Sequence, residues 1–237
     1  MLKRIVFFII SLSLIINQSC KPPKEYESQL EKPKVESSQG STDTVSDFKD
    51  WVEYSIKGFG EISIPPEMEE QSGKFKEFNE KNRHLNGFSE EQIVFQQKGL
   101  NKFESDSKNT YARVMIKTII GKKGEYSDLS EAPISNSELE DFEGEYKKEF
   151  EKNMKKQNIN ITKWYPIQIA DINGNMAILT SYNRTLSNNP EAYVRMYQFF
   201  NNDRYHFVTL SFRITEKEKW ETLFDKILNK IKIVEIE

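Results

Sequence analysis

An α+β fold, in which an antiparallel β-sheet of about six to eight strands is covered by two main amphipathic helices, follows from three observations. Short alternating apolar segments recur along the chain, turn signals join most of them as hairpins, and two longer stretches carry apolar residues at helical spacing.

The folded region is expected to begin near Phe48. In WVEYSIKGFGEISIP, Val52, Tyr54 and Ile56 alternate, and so do Ile62 and Ile64, around Gly58 and Gly60. That predicts two short strands joined by a tight turn, the second ended by Pro65 and Pro66. Residues 66 to 90 are mostly polar and read as loop with one helical turn at most. EQIVFQQK and NTYARVMIKTII then supply strands at Gln92 to Lys98 and Thr110 to Ile120. A helix follows, announced by a capping box in which Ser135 precedes Glu138 by three residues. Its stripe is Leu139, Phe142, Tyr146, Phe150 and Met154, a core face rather than a cofactor box. KWYPIQIADI and NMAILTSYNRTL flank Asn173 and Gly174, the dipeptide of a type I′ hairpin turn. AYVRMYQFF and YHFVTLSFRI flank Asn201 to Arg204 as a second hairpin. The last helix carries Trp220, Leu223, Phe224, Ile227, Leu228 and Ile231, with a second capping box at Thr215 and Glu218.

The order of these pieces, from ISIPPEMEE through the mid-chain helix, DINGNMA and YHFVTLSF to ILNKIKI, resembles the PsbP-like fold shared by the photosystem subunit PsbP and Ran-binding import regulators. The resemblance covers roughly Trp51 to Val234. It implies an α/β sandwich that is not an enzyme and docks on other proteins; its markers belong to the fold and transfer no binding residue.

Ahead of the domain, Lys3 and Arg4 precede an apolar run from Ile5 to Ile16 broken only by Ser11 and Ser13. Twelve residues are too few for a spanning helix, which needs about 20. Basic start, apolar run and small residues before a cut site are the parts of a secretory signal peptide. Ser19 before Cys20, the single cysteine of the 237-residue chain, resembles a bacterial lipobox, with Asn17 as a departure that looser Bacteroidetes-type boxes share. This implies a lipoprotein signal at 1–19 and an acylated Cys20. Lipidation also accounts for an unpaired exported thiol. Several acyl chains, at about 0.8 kcal/mol per buried methylene, give durable attachment. Residues 20–46 then form the lipidated cysteine and a tether rich in Pro, Ser and charge, with too little apolar surface to offset its ordering entropy. As a flexible coil it holds the domain about 28 Å from the lipid. Residues 47–237 are expected to be one domain.

The formal charge of −3, more negative still once Lys3 and Arg4 leave with the signal, lacks the basic footprint of a nucleic-acid binder. Gly-x-Ser-x-Gly, phosphate-loop and dinucleotide motifs are absent from the sequence. His84 and His206, the two histidines, stand far apart, which leaves no zinc spacing. His84 is expected in an exposed loop and His206 in a strand, on the face of Arg204, Val208, Leu210 and Phe212. Asp171, Asn173 and Asn175 begin like a calcium loop, but Met176 and Tyr182 occupy its Gly and Glu positions. Neither cofactor, metal nor catalytic residue is therefore assigned. What remains is aromatic wealth, and Trp164, Tyr165, Tyr193 and Tyr197 are the candidate partner-binding residues, since Tyr and Trp carry interface energy. The expectation is a non-catalytic, membrane-anchored lipoprotein of the cell envelope, on the outer or inner membrane, that binds another envelope protein. The alternatives are a carrier of a lipid or other apolar ligand between sheet and helices, and a hydrolase built on carboxylates or His206.

Overall fold

In the computed structural model, the described residues are 50–73, 76, 92–102, 110–127 and 136–234. Cys20, the tether, His84 and the cap at Ser135 lie outside them. The elements run β1 (Val52–Ile56), β2 (Gly60–Ile64), β3 (Met68–Glu70), β4 (Gln92–Gln97), β5 (Ala112–Ile120), α1 (Asn136–Lys156), β6 (Ile159–Ile172), β7 (Asn175–Leu186), β8 (Ala192–Asn201), β9 (Arg204–Arg213), α2 (Lys217–Leu228) and β10 (Lys232–Ile233).

Seven strands form the main sheet in the order β3-β4-β5-β9-β8-β7-β6, every pairing antiparallel. The fold is α+β. Strand alternation sends β9 residues Tyr205 and Phe207 to one face and Val208, Leu210 and Phe212 to the other. On the first face, Phe142, Tyr146, Phe150 and Met154 of α1 meet Ile178, Tyr182, Val194 and Met196. On the second, Trp220, Phe224 and Ile227 of α2 meet Val114, Leu210 and Phe212. A central strand covered on both faces reads as a continuous apolar run rather than a half-polar one, which is why nine of the ten β9 positions are buried.

The first hairpin does not extend the main sheet. β1, β2 and β10 make a separate three-stranded sheet that lies beside α2 and closes the second core with Phe59, Ile62 and Ile64. Gly60 allows this closure: its φ is +135°, and a Cβ there would stand 1.9 Å from the Lys232 carbonyl oxygen of β10. The hairpin was legible in sequence; its third strand, two residues long, was not.

Three local expectations are corrected. Met68–Glu70, read as loop, is the edge strand β3, paired to β4 and fixed by Glu69, whose Oε1 accepts the Gly99 and Asn101 amides at 3.1 and 3.0 Å. The Thr215–Glu218 capping box does not form. A 3-10 turn at Ile214–Glu216 precedes α2, the Lys217 amide bonds the Ile214 carbonyl, and the cap residue is Glu216 without a side-chain bond. The β6 strand starts at Ile159, four residues before the expected Lys163, because Asn158 takes a left-handed φ of 59° and turns the chain straight out of α1.

The Asn173–Gly174 turn forms as expected, with φ of 55° and 82°. Asn173 also acts beyond the turn. Its Nδ2 donates to the Leu228 and Ile231 carbonyls at 3.1 and 2.8 Å, tying the end of α2 to the β6–β7 hairpin.

Candidate functional site

The four aromatics singled out from sequence are divided between the two faces of the sheet by the irregular strand β6. Its register with β7 shifts between Ile161 and Lys163 and again between Tyr165 and Gln168, on either side of Pro166. Trp164 points toward α1, stacked on Tyr182 at 6.1 Å and set edge-on to Phe150 at 5.7 Å. Its Nε1 donates to Glu143 Oε1 at 2.7 Å. Tyr165 points the other way and packs edge-on against Tyr193 at 5.6 Å, with the Lys163 ammonium 4.5 Å from its ring centre. Tyr197 is buried at 4% exposure, and burial holds its hydroxyl above the ordinary phenol range. Tyr165 and Tyr193 therefore adjoin as a half-buried pair, whereas Trp164 and Tyr197 belong to the packing of opposite faces.

His206 is fully buried. Its Nδ1 lies 2.9 Å from Thr118 Oγ1, the edge of its ring faces Phe59 at 5.3 Å, and Nε2 has no hydrogen-bond partner. Burial, assisted by the Arg204 charge, lowers its pKa from 6.5 to about 3. A neutral imidazole sealed between an alcohol and a phenyl ring lacks the carboxylate that would orient it as a base, and it has no opening to a substrate. Among the described residues no group of three or more His, Cys, Asp or Glu side chains gathers as for a metal.

A third constellation was not anticipated. The parity that sends Tyr205 and Phe207 toward the α1 side also sends Ser211 and Arg213 there, as it does Arg113 from β5 and Arg184 from β7. Arg113 lies opposite Ser211, and Ala192 of β8 sits between Arg184 and Arg213. The guanidinium carbons of Arg113 and Arg213 each stand 5.0 Å from the centre of the Tyr111 ring. The Tyr111 hydroxyl lies 3.0 Å from Ser211 Oγ and receives a long bond from Arg184 at 3.5 Å. Arg184 and Arg213 are 8% and 7% exposed. Burial draws the Arg213 guanidinium below its ordinary range, and the charges of Arg184 and Arg113 add to the fall against the opposing pull of Tyr111 and Glu216. Each arginine ends or begins an apolar strand in sequence, where a lone positive charge reads as solvent-facing; only the strand register brings the three together.

No family model matches the chain, and no curated protein matches it. Solved structures of similar architecture are known. Cyanobacterial PsbP (CyanoP) from Synechocystis is 13% identical, with a TM-score of 0.43, and the match covers 82% of this chain and 98% of that one. A Pseudomonas aeruginosa protein of unknown function is 12% identical, with a TM-score of 0.38 and coverage of 77% and 96%. A protein from Bacteroides thetaiotaomicron is 6% identical, with a TM-score of 0.42; the match covers 77% of this chain and 48% of that protein.

Tyr165 with Tyr193 offers an amphipathic aromatic surface, and the arginine cluster offers positive charge with hydrogen-bond donors. His206 is spent on packing.

Proposed function

We propose that the protein is a cell-envelope lipoprotein, held to a membrane through an acylated Cys20, whose PsbP-like domain binds another envelope protein without catalysing a reaction. The observation that carries the binding half of this reading is the Tyr165–Tyr193 pair. Two aromatic rings in edge-to-face contact stay half-buried on the sheet beside an edge strand, and rigid aromatics of this kind supply contact area at low entropic cost. The anchoring half rests on Ser19 and Cys20 after the basic and apolar start. The 26 residues from Lys21 to Ser46, rich in Pro, Ser and charge, then separate the anchor from the domain.

The carrier reading has less support. It needs room between α1 and the sheet, where Phe142, Tyr146 and Phe150 are at most 1% exposed and their rings lie 5.0 to 6.1 Å from one another or from Tyr182 and Trp164.

The test has two parts in the native host. Metabolic labelling with an alkyne palmitate should mark the wild-type chain and not Cys20→Ala. A photo-crosslinking residue at Tyr193 should capture one protein that the same residue at Lys219, on α2, does not. Equal labelling of Cys20→Ala sinks the anchor, and identical captures at both positions sink the assigned face.

A further inference from the structure

Three strands deliver three guanidiniums to one end of the main sheet, around one tyrosine ring. A surface arginine spreads its charge into water; two of these are more than nine-tenths buried. Arg213 spends one nitrogen on the Pro190 carbonyl at 2.6 Å, while its Nε is buried with no hydrogen-bond partner. A desolvated donor without an acceptor is costly, and it lies beside two like charges. We propose that Tyr111, Arg113, Arg184, Ser211 and Arg213 form a binding site for a phosphate-type oxyanion.

The donor inventory selects this class. Each guanidinium carries five N–H donors in a planar fork, and a carboxylate offers only two oxygens. Phosphate presents more oxygens in a tetrahedron and two negative charges near neutral pH, which answers converging forks better than a single carboxylate does. The hydroxyls of Tyr111 and Ser211 share one hydrogen bond at 3.0 Å, which leaves one of their two protons as a neutral donor. Tyr111 also preorganises the site: with Arg113 and Arg213 each 5.0 Å from its ring centre, the forks are held before any ligand arrives, which lowers the ordering cost of binding. A bound anion reverses the mutual repulsion that contributes to the lowered proton affinity of Arg213. This inference is independent of the proposed partner surface at Tyr165 and Tyr193.

The experiment uses the full chain in a zwitterionic detergent and titrates inorganic phosphate against sodium chloride of equal ionic strength. Calorimetry and thermal unfolding are the readouts. Phosphate should bind saturably and raise Tm by several degrees at about a hundred times Kd. Arg213→Gln should weaken phosphate binding about tenfold or more, the worth of a charged hydrogen bond. Should Arg213→Gln fail to fold, Arg113→Lys, which keeps the charge at a half-buried position but loses the planar fork, should lower the affinity about tenfold, with the phosphate response read against the variant's own ligand-free Tm. Dihexanoyl phosphatidic acid, with the matching phosphatidylcholine as control, separates the sources. Displacement of phosphate by the former assigns a lipid headgroup, and phosphate binding without displacement assigns the free anion. A phosphate response no larger than that of chloride, or one that the variants retain in full, overturns the site.

Discussion

His206 illustrates how a residue that attracts functional interest can be explained by burial. The imidazole reaches Thr118 across the β5–β9 pairing and is covered by Phe59 from the turn before β2. It is neutral in the fold down to about pH 3, while in the unfolded chain it takes up a proton near 6.5. Between those values the unfolded state binds more protons, so stability falls as the pH is lowered. The contribution is complete above about 6.5 and drains at up to about 1.4 kcal/mol per pH unit below it. Urea midpoints measured from pH 7 to 4 should show this slope in the wild type and a shallower one in His206→Gln. Identical slopes would assign the acid sensitivity to carboxylates instead. The same burial explains why Tyr205, whose hydroxyl donates to Gln198 beneath α1, is held well above the phenol range.

At the scale of elements, β6 shows how a long edge strand is kept from pairing with other chains. Among the described residues its outer backbone faces no strand of its own sheet, and such edges invite aggregation unless bulges, proline or charge interrupt them. Two register shifts and Pro166 do so here. Glu143 of α1 holds the irregular stretch: one oxygen takes the Trp164 indole N–H at 2.7 Å and the other the Ile167 amide at 3.3 Å. Glu143→Gln should cost about 1–2 kcal/mol, the scale of charged hydrogen bonds partly retained, and should shift Trp164 fluorescence to the red. An unchanged emission maximum would mean that packing on Tyr182 alone sets the indole. In sequence, Glu143 is one of many acidic residues on a charged helix face, and nothing distinguishes it. The α1 stripe, both long hairpins and the α2 stripe were legible because each repeats its period over several turns or pairs. β3 and β10 were not, being three and two residues long and fixed by partners distant in sequence. The arginine cluster escaped for a related reason: Arg113, Arg184 and Arg213 meet only through the pairings of four strands.

Across the whole molecule, one sheet serves two cores. Every apolar side chain on the α1 face of β9 neighbours one on the α2 face, so loosening either layer exposes the strand that supports the other. The β1–β2–β10 sheet adds to this coupling, since β10 follows α2 and Asn173 ties the end of α2 to the β6–β7 hairpin. Interiors packed this closely transmit strain rather than absorb it. The two layers should therefore unfold together, and the tryptophans allow a direct check. Trp164 reports the α1 core, and Trp220, fully buried and 5.9 Å from Phe224, reports the α2 core. In variants that retain one of them, with Trp51 and the other changed to Phe, the emission of each should give a urea transition that coincides with loss of far-ultraviolet circular dichroism. Phe150→Ala, which opens a cavity under α1 at about 3–5 kcal/mol, should then lower the midpoint reported by Trp220 as much as that reported by Trp164. A Trp220 signal that stays in place while Trp164 melts early would show that the sheet holds against α2 alone, and that the two cores are separate cooperative units.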